Sequence, residues 1–279
     1  MLNDAVNSMT RLVTLAAALV CLGAGSALSQ QAIKIDGSSG VAPLVAALAK
    51  AYQQKQTGVA IEIGKGMGTK ARIEALAAGS IDITTASHGL KVDEITRLGM
   101  TVHEIARTPV VFGVNAGVGF EALSEQQICA IYAGTHKNWK EVGGPDLTIA
   151  PRTRPESEVD AEVVRSGIGC LKTLKMTEAA KVMPRGGDMA RELAAAPGSI
   201  GMTTSTVVEQ SSGKIRAVAL NSVKPDEANV LAGRYKLTRE AFLVTKGAGS
   251  PAVAGFLNFV RSPEGAVVIK ANGAIPTAR

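Results

Sequence analysis

The chain has 279 residues, with 30 Lys or Arg against 24 Asp or Glu, so its formal net charge is +6. The basic residues form no run and aromatic residues make up only 3% of the chain, which argues against a nucleic-acid partner. The positive excess would help to attract an anionic solute, and scattered surface lysines that aid solubility explain it equally well.

The first 29 residues are typical of a cleaved export signal. Leu12–Leu28 is largely apolar, follows Arg11 and ends in Ala27-Leu28-Ser29, which matches a basic region, an apolar region and a small-residue cleavage site. The unbroken apolar stretch is shorter than the ~20 residues that a membrane span needs. We therefore expect an exported, periplasmic protein that is cleaved after this tripeptide. The start codon stays open between Met1 and Met9.

Two successive units then run from a short strand through a Gly/Ser/Thr turn into a helix. In the first unit the strand Ile33–Ile35 leads to the turn Gly37–Gly40, and in the second Ile61–Ile63 leads to Gly64–Thr69. The free N–H groups at the start of each helix suit a small anion or carboxylate. A single such turn is usually an ordinary tight connection. Two in succession favour a ligand crevice at the carboxyl ends of parallel strands.

Strands and helices alternate along the rest of the chain. The apolar pattern predicts strands at Ile81–Ile83, Pro109–Asn115, Leu147–Ile149, Ser199–Thr203, Ile215–Leu220 and Glu240–Thr245. It predicts helices after both turns, from a Ser124/Gln127 capping box to Gly134, and at Asp160–Leu174, Asp188–Ala196, Val253–Val260 and Glu264–Ala271. This alternation implies right-handed crossovers and an α/β fold with mainly parallel sheets.

The order of these elements predicts two lobes. The apolar strands near Gly113–Asn115 and Lys236–Thr245 are expected to cross between the lobes, so that the C-terminal helices return to the first one. We predict a first lobe at residues 30–113 and 240–279 and a second at residues 114–239. Each is large enough to bury a core of its own.

Two cysteines remain after removal of the signal, and the sequence leaves their state open. Cys129 and Cys170 would pair in an oxidising compartment. Each also lies among apolar residues, as a buried free cysteine would. No Cys-x-x-Cys occurs and the three histidines lack zinc spacing, so we expect no metal and no cofactor.

An enzymatic function has little support in the motifs. Gly37–Gly40 does not fit the Gly-x-Ser-x-Gly turn of a nucleophilic serine, and no triad pattern accompanies it. Gly64–Thr69 fits neither the dinucleotide fingerprint nor the P-loop. We expect no catalytic residue, and a secreted hydrolase stays as an alternative that an activity assay decides.

Several segments together resemble the periplasmic phosphate-binding proteins of ABC transporters. They are the export signal, IDGSSGVAPL, GKGMGTKARIEALAAGSIDITTASHGL, LSEQQICAIYAGTHKNWKEVGG and GSIGM. The resemblance covers most of the mature chain and implies the two-lobed, type II periplasmic-binding-protein fold. It further implies a solute held between closing lobes and delivery to a membrane permease, and we expect a monomer.

The resemblance also implies a set of ligand-binding residues. The first turn corresponds to the family's phosphate grip of backbone N–H groups and a hydroxyl, and the second to a turn where the family has a serine. A pair after the third strand and an arginine with a serine in the second lobe complete the set. The implied residues are Ser38, Ser39, Gly40, Val41, Gly66, Gly68, Thr69, Ser87, His88, Arg154 and Ser157.

The second lobe departs from the family's Ser-Gly-Thr turn. This chain follows Ser157 with Glu158 and Val159, beside two further carboxylates. A carboxylate 4 Å from an anion repels it by ~1 to 4 kcal/mol per charge pair, depending on the local dielectric. Met67, in place of the family's serine, cannot donate a hydrogen bond. We therefore expect weaker phosphate binding than in the family, or another oxyanion. A binding protein that feeds a signalling partner stays as an alternative to transport.

Overall fold

The computed structural model describes residues 31–277, so the predicted signal peptide lies outside the described residues. Within that range, no helix is both long and apolar enough to cross a membrane. The first elements alternate as predicted: β1 (Gln31–Gly37), α1 (Ala42–Lys55), β2 (Val59–Ile63), α2 (Thr69–Ala78), β3 (Ile83–Ser87) and α3 (Val92–Arg97).

A long strand, β4 (Met100–Asn115), leads into the middle of the chain. The elements that follow it are β5 (Ala122–Leu123), α4 (Glu125–Ala133), β6 (Ala150–Thr153), α5 (Val159–Gly167), β7 (Lys181–Val182), α6 (Gly186–Ala195), β8 (Ser199–Thr204), α7 (Ser205–Gln210), β9 (Ile215–Ala217), β10 (Ala219–Leu220) and α8 (Glu227–Leu231). The last elements are β11 (Thr238–Lys246), α9 (Pro251–Val260), α10 (Pro263–Ala271) and β12 (Ile275–Pro276). Short 3₁₀ turns occur at Ala116–Val118, Trp139–Val142 and Gly169–Leu171.

The strands form one mixed sheet in the order β2-β1-β3-β11-β4-β8-β6-β7, with β9 and β12 also paired to β4. Parallel pairs occupy both outer parts, namely β2-β1-β3 on one side and β8-β6-β7 on the other. The pairs around β4 and β11 are antiparallel. Strands β5 and β10 form a small separate parallel pair. The α/β class predicted from the sequence is therefore confirmed.

Strand β4 belongs to both halves of the sheet. It pairs with β11 as far as Pro109 and with β8 from Val110 onward. The N–H of Val110 donates to the carbonyl of Leu237, directly before β11, so both crossings of the chain lie side by side. We call the half with β1–β3 and β11 the first lobe and the half with β5–β10 the second lobe. The exact boundaries given above, at 113/114 and 239/240, stay a prediction.

Each half of the sheet has its own hydrophobic core. In the first lobe, Ile33, Leu48 and Phe256 are completely buried between the sheet and helices α1, α9 and α10. In the second lobe, Tyr132 and Trp139 anchor a larger cluster around β4 and β8. The polar tips of these two side chains are satisfied: the Tyr132 hydroxyl donates to the Arg152 carbonyl, and the Trp139 indole donates to the Gly198 carbonyl.

Several predicted elements differ from the structure. The strand expected at Ile215–Leu220 is divided into β9 and β10, which pair with β4 and β5, and the strand expected at Pro109–Asn115 begins at Met100. The helix expected at Asp160–Leu174 ends at Gly167, because Ile168 is extended and a 3₁₀ turn follows. The strand expected at Leu147–Ile149 lies at Ala150–Thr153, since the Leu147 carbonyl accepts the Trp139 N–H and the Ile149 N–H donates to the Lys137 carbonyl. The third strand begins only at Ile83 and continues to Ser87.

The open question about the cysteines is resolved by the fold. Cys129 in α4 and Cys170 in the 3₁₀ turn Gly169–Leu171, after α5, form a disulfide, with their Cα atoms 6.2 Å apart. The bond fixes the break that ends α5 against α4. It lies in the second lobe, away from the turns of the first lobe that the sequence assigns to the ligand.

Candidate functional site

A cleft of about 670 Å³ lies between the lobes, at the carboxyl ends of β1 and β3. From the first lobe it is lined by Ser38, Ser39, Met67, Gly68, Thr69, Arg72, Ser87, His88, Gly89, Leu90, Lys91, Glu94 and Ile95. From the second lobe it is lined by Ser157, Glu158, Val159 and Glu162. The cleft therefore brings together most of the residues that the sequence assigned to a ligand site, from both lobes.

The first turn is held in place by β3. Gly37 has φ 142°, and a side chain there would meet the Thr85 carbonyl oxygen at 2.3 Å, so the position accepts only glycine. The N–H of Ser38 donates to that same carbonyl oxygen at 3.0 Å. Among the described residues, the N–H groups of Ser39 and Gly40 and the hydroxyls of Ser38 and Ser39 make no hydrogen bond. These donors are available to a ligand.

Val41 differs from its neighbours in the first turn. Its N–H donates to the Ser38 carbonyl at 3.1 Å and its side chain is buried in the first lobe's core. Gly40 lies against Arg239 and lines a second cavity of about 260 Å³. The predicted ligand contacts of Gly40 and Val41 thus stay predictions, since neither residue lines the larger cleft.

The second turn is organised by Asp36. Its carboxylate accepts hydrogen bonds from the N–H of Gly37 at 2.7 Å and of Gly66 at 2.9 Å, and so ties the two turns together. The Gly66 amide is therefore already bonded. Gly68 is the N-cap of α2 and has no side chain that could bond the first N–H groups of the helix. The Thr69 hydroxyl has no partner among residues 31–277. The open donors of this turn are thus at the start of α2.

The pair Ser87-His88, at the end of β3, is held by β11. The Ser87 hydroxyl donates to the Glu240 carbonyl at 3.1 Å, and His88 Nδ1 lies 2.6 Å from the Glu240 carboxylate. Both side chains line the cleft, and the hydrogen bond to Glu240 fixes the orientation of the imidazole. The second ring nitrogen of His88 and the lone pairs of the Ser87 hydroxyl remain available.

Arg154 is directed into the second lobe. Its guanidinium donates to the Met183 carbonyl at 2.7 Å and to the Glu158 carboxylate at 2.8 Å, and its Nε lies 3.9 Å from Asp160. The residue is only 4% exposed and does not line the cleft, whereas Ser157 does. The ligand contact assigned to Arg154 by resemblance stays a prediction.

An ion pair that the sequence did not suggest joins the lobes beside the cleft. Arg239, at the start of β11, donates to the Asp160 carboxylate in α5 at 2.7 Å, and both side chains are buried. The guanidinium packs against the first turn, because a Cβ on Gly40 would lie 2.4 Å from it. Both residues line the smaller cavity.

Arg72, like Arg239, is a residue near the ligand turns that the sequence did not assign to the site. It lies in α2 one turn after Gly68, lines the cleft and is only 9% exposed. Its Nε has no hydrogen-bond partner, and burial lowers the pKa of its guanidinium. A signal existed in the sequence: Arg72 precedes the buried Leu76 by four residues, which places a cation on the apolar face of α2.

Comparisons with known proteins agree with this architecture. The family model of the PBP superfamily domain matches residues 23–264. The phosphate-binding protein PstS of Bacillus subtilis (strain 168) is 26% identical over 243 residues, which cover 86% of this chain and 78% of that protein. PstS of Staphylococcus aureus (strain USA300) is 35% identical over 135 residues, only 46% of this chain and 41% of that protein.

A solved structure extends the likeness to the whole described fold. It is a crystal structure, with bound phosphate, of a Clostridium perfringens protein assigned as a phosphate ABC transporter substrate-binding protein. It is 27% identical with a TM-score of 0.72, and the alignment covers 89% of this chain and all of that one. The fold is thus that of a type II periplasmic binding protein. The chain belongs to the PBP superfamily.

Proposed function

We propose that this chain is the extracytoplasmic solute-binding protein of an ABC transporter and that it binds phosphate or a related small oxyanion between its lobes. The observation that carries the proposal is the set of unbonded donors in the cleft. The hydroxyls of Ser38, Ser39 and Thr69 and the open start of α2 lie together there, opposite Ser157. Such groups suit an oxyanion and include no nucleophile–base pair.

The named relatives support the same ligand class. The aligned Bacillus and Staphylococcus proteins are called phosphate-binding proteins, and the Clostridium structure contains phosphate. Export to the periplasm, delivery to a membrane permease and action as a monomer complete the proposal. The predicted export signal, in the first 29 residues, supports the first of these.

The second lobe bears on the strength of phosphate binding. Glu158 and Glu162 line the cleft. The charge of Glu158 is neutralised by Arg154, 2.8 Å away, and the same pairing weakens the electrostatic attraction of Arg154 for an anion. Since like charges in the cleft disfavour a dianion, we expect phosphate to bind more weakly than in typical family members.

Calorimetric titration of the mature protein tests the proposal. Phosphate should bind with a stoichiometry near one site per chain, while acetate at the same concentration should give no comparable heat. Absence of binding to both phosphate and sulfate would contradict the proposal. Esterase and phosphatase assays on the same preparation test the hydrolase alternative, and turnover well above the buffer rate would favour that alternative.

A further inference from the structure

We infer that Arg72 is the principal cationic partner of the bound oxyanion, the role that resemblance assigns to Arg154. The inference rests on the proposed function in one respect, namely that the ligand is an oxyanion. It concerns a residue outside both ligand-binding turns. Its evidence is the charge pairing in and around the cleft, the burial of Arg72 and the direction of its side chain.

The other basic side chains around the cleft already have carboxylate partners. Lys91 lies 3.1 Å from Glu94. His88, Arg154 and Arg239 pair with Glu240, Glu158 and Asp160 at 2.6, 2.8 and 2.7 Å, respectively. Within residues 31–277, the Arg72 side chain has neither an ion pair nor a hydrogen bond. Arg72 is therefore the lining cation whose charge is left for a ligand.

Burial makes this lack of a partner meaningful. A charge removed from water without compensation is strongly unfavourable, so buried arginines are normally paired. Arg72 is nine-tenths buried and its Nε is fully buried without a partner, whereas its two terminal nitrogens keep contact with the solvent of the cleft; burial lowers its pKa. An arginine that served only the fold would be expected to bond to a carboxylate or carbonyl. An anion in the cleft supplies the missing partner.

The geometry of α2 directs this charge towards the predicted ligand position. Side chains on a helix lean towards its N-terminus and cover the preceding turn. For Arg72 that turn begins at Gly68, whose carbonyl accepts the Arg72 N–H at 3.0 Å. The guanidinium thus lies on the side of the open donors at Gly68 and Thr69. Its planar fork suits two oxygens of one phosphate, sulfate or carboxylate group.

Replacement of Arg72 by glutamine separates a ligand-binding role from a structural one. The matched control is Arg97→Gln, which removes the same charge from an exposed position in α3 of the same lobe. Calorimetry with phosphate and with sulfate measures the affinity, and thermal unfolding without ligand measures the fold. We expect Arg72→Gln to weaken oxyanion binding roughly 10- to 100-fold, with an equal or higher unfolding temperature. Arg97→Gln should change neither.

Each result decides the inference. Phosphate affinity that is unchanged in Arg72→Gln would overturn it and leave the proposed function standing. A clear fall in the unfolding temperature of ligand-free Arg72→Gln, or failure to fold, would show that the arginine stabilises the fold and would also overturn it. Wild-type binding of sulfate but not phosphate, lost in the variant, would refute phosphate as ligand while supporting the inference. No oxyanion binding by the wild type would overturn both.

Discussion

Three buried arginines surround the cleft, and they differ in what neutralises them. Arg154 has Glu158 and a backbone carbonyl, Arg239 has Asp160, and Arg72 has no partner among the described residues. Charge pairing, rather than position in a family motif, therefore distinguishes an arginine that stabilises the protein from one that is available to a ligand.

Replacement of Asp160 by asparagine tests the interlobe ion pair. The carboxylate lies 2.7 Å from Arg239 and 3.9 Å from Arg154, so its removal leaves a buried guanidinium without a counter-charge. We expect the free energy of unfolding to fall by about 3 to 5 kcal/mol in urea denaturation. The control is Glu156→Gln, because Glu156 pairs with Arg165 while 80% exposed. It should lose less than about 1 kcal/mol, and equal losses would refute the argument.

Gly37 tests how the first turn is fixed. An alanine there would have to adopt φ near 142° and would press its Cβ against the Thr85 carbonyl. We expect Gly37→Ala to lower the free energy of unfolding by at least about 1 to 3 kcal/mol and to weaken phosphate binding, because the Ser38 and Ser39 donors move. Gly58→Ala is the control, since a Cβ there meets no atom within 4 Å. A Gly37→Ala variant as stable as Gly58→Ala would contradict this account.

At the scale of elements, the sequence predicted the ends of a helix correctly where the signals lie close together in the chain. The Ser124/Gln127 capping box and the left-handed Gly134 bound α4 as expected, because both depend on residues within one helix. The break after Gly167 was missed, since apolar residues continue beyond it and only the disulfide and the 3₁₀ turn reveal the change of direction. Strand β4 was recognised only from Pro109, because its first half is partly exposed and carries charges.

The residues of the candidate site could likewise be predicted only where the signal is local in the sequence. Ser38, Ser39 and Thr69 follow from strand–turn–helix patterns that a single sequence displays. The bond from Arg154 to the Met183 carbonyl does not, because Met183 lies far along the chain and only the folded second lobe brings the two together. Arg72 was missed because the helix pattern was judged from apolar residues alone.

The disulfide between α4 and the 3₁₀ turn Gly169–Leu171 should contribute strongly to the stability of the second lobe. It closes a loop of 41 residues, for which restriction of the unfolded chain stabilises the protein by about 2 to 4 kcal/mol. We expect Cys129→Ser/Cys170→Ser to lose that amount in urea denaturation. The wild type with reductant should match the variant, and phosphate affinity should change little. Two alkylatable thiols in the untreated native protein would contradict the disulfide.

At the scale of the whole molecule, the two lobes share strand β4 and are joined by contacts that include the buried Arg239–Asp160 ion pair. Strand β4 pairs with β11 as far as Pro109 and with β8 from Val110 onward. The Leu237 carbonyl, directly before β11, accepts the Val110 N–H. The cleft is lined from both lobes, with donors mainly in the first lobe and carboxylates mainly in the second. This arrangement suits hinge closure over a small ligand.

The most direct test of the central claim is a crystal structure of the mature protein grown with phosphate. The anion should lie in the cleft, within about 3 Å of the Ser38 or Ser39 hydroxyl, the start of α2 and the Arg72 guanidinium. An empty cleft, with phosphate only in the smaller cavity beside Arg239 or on the outer surface, would contradict the account.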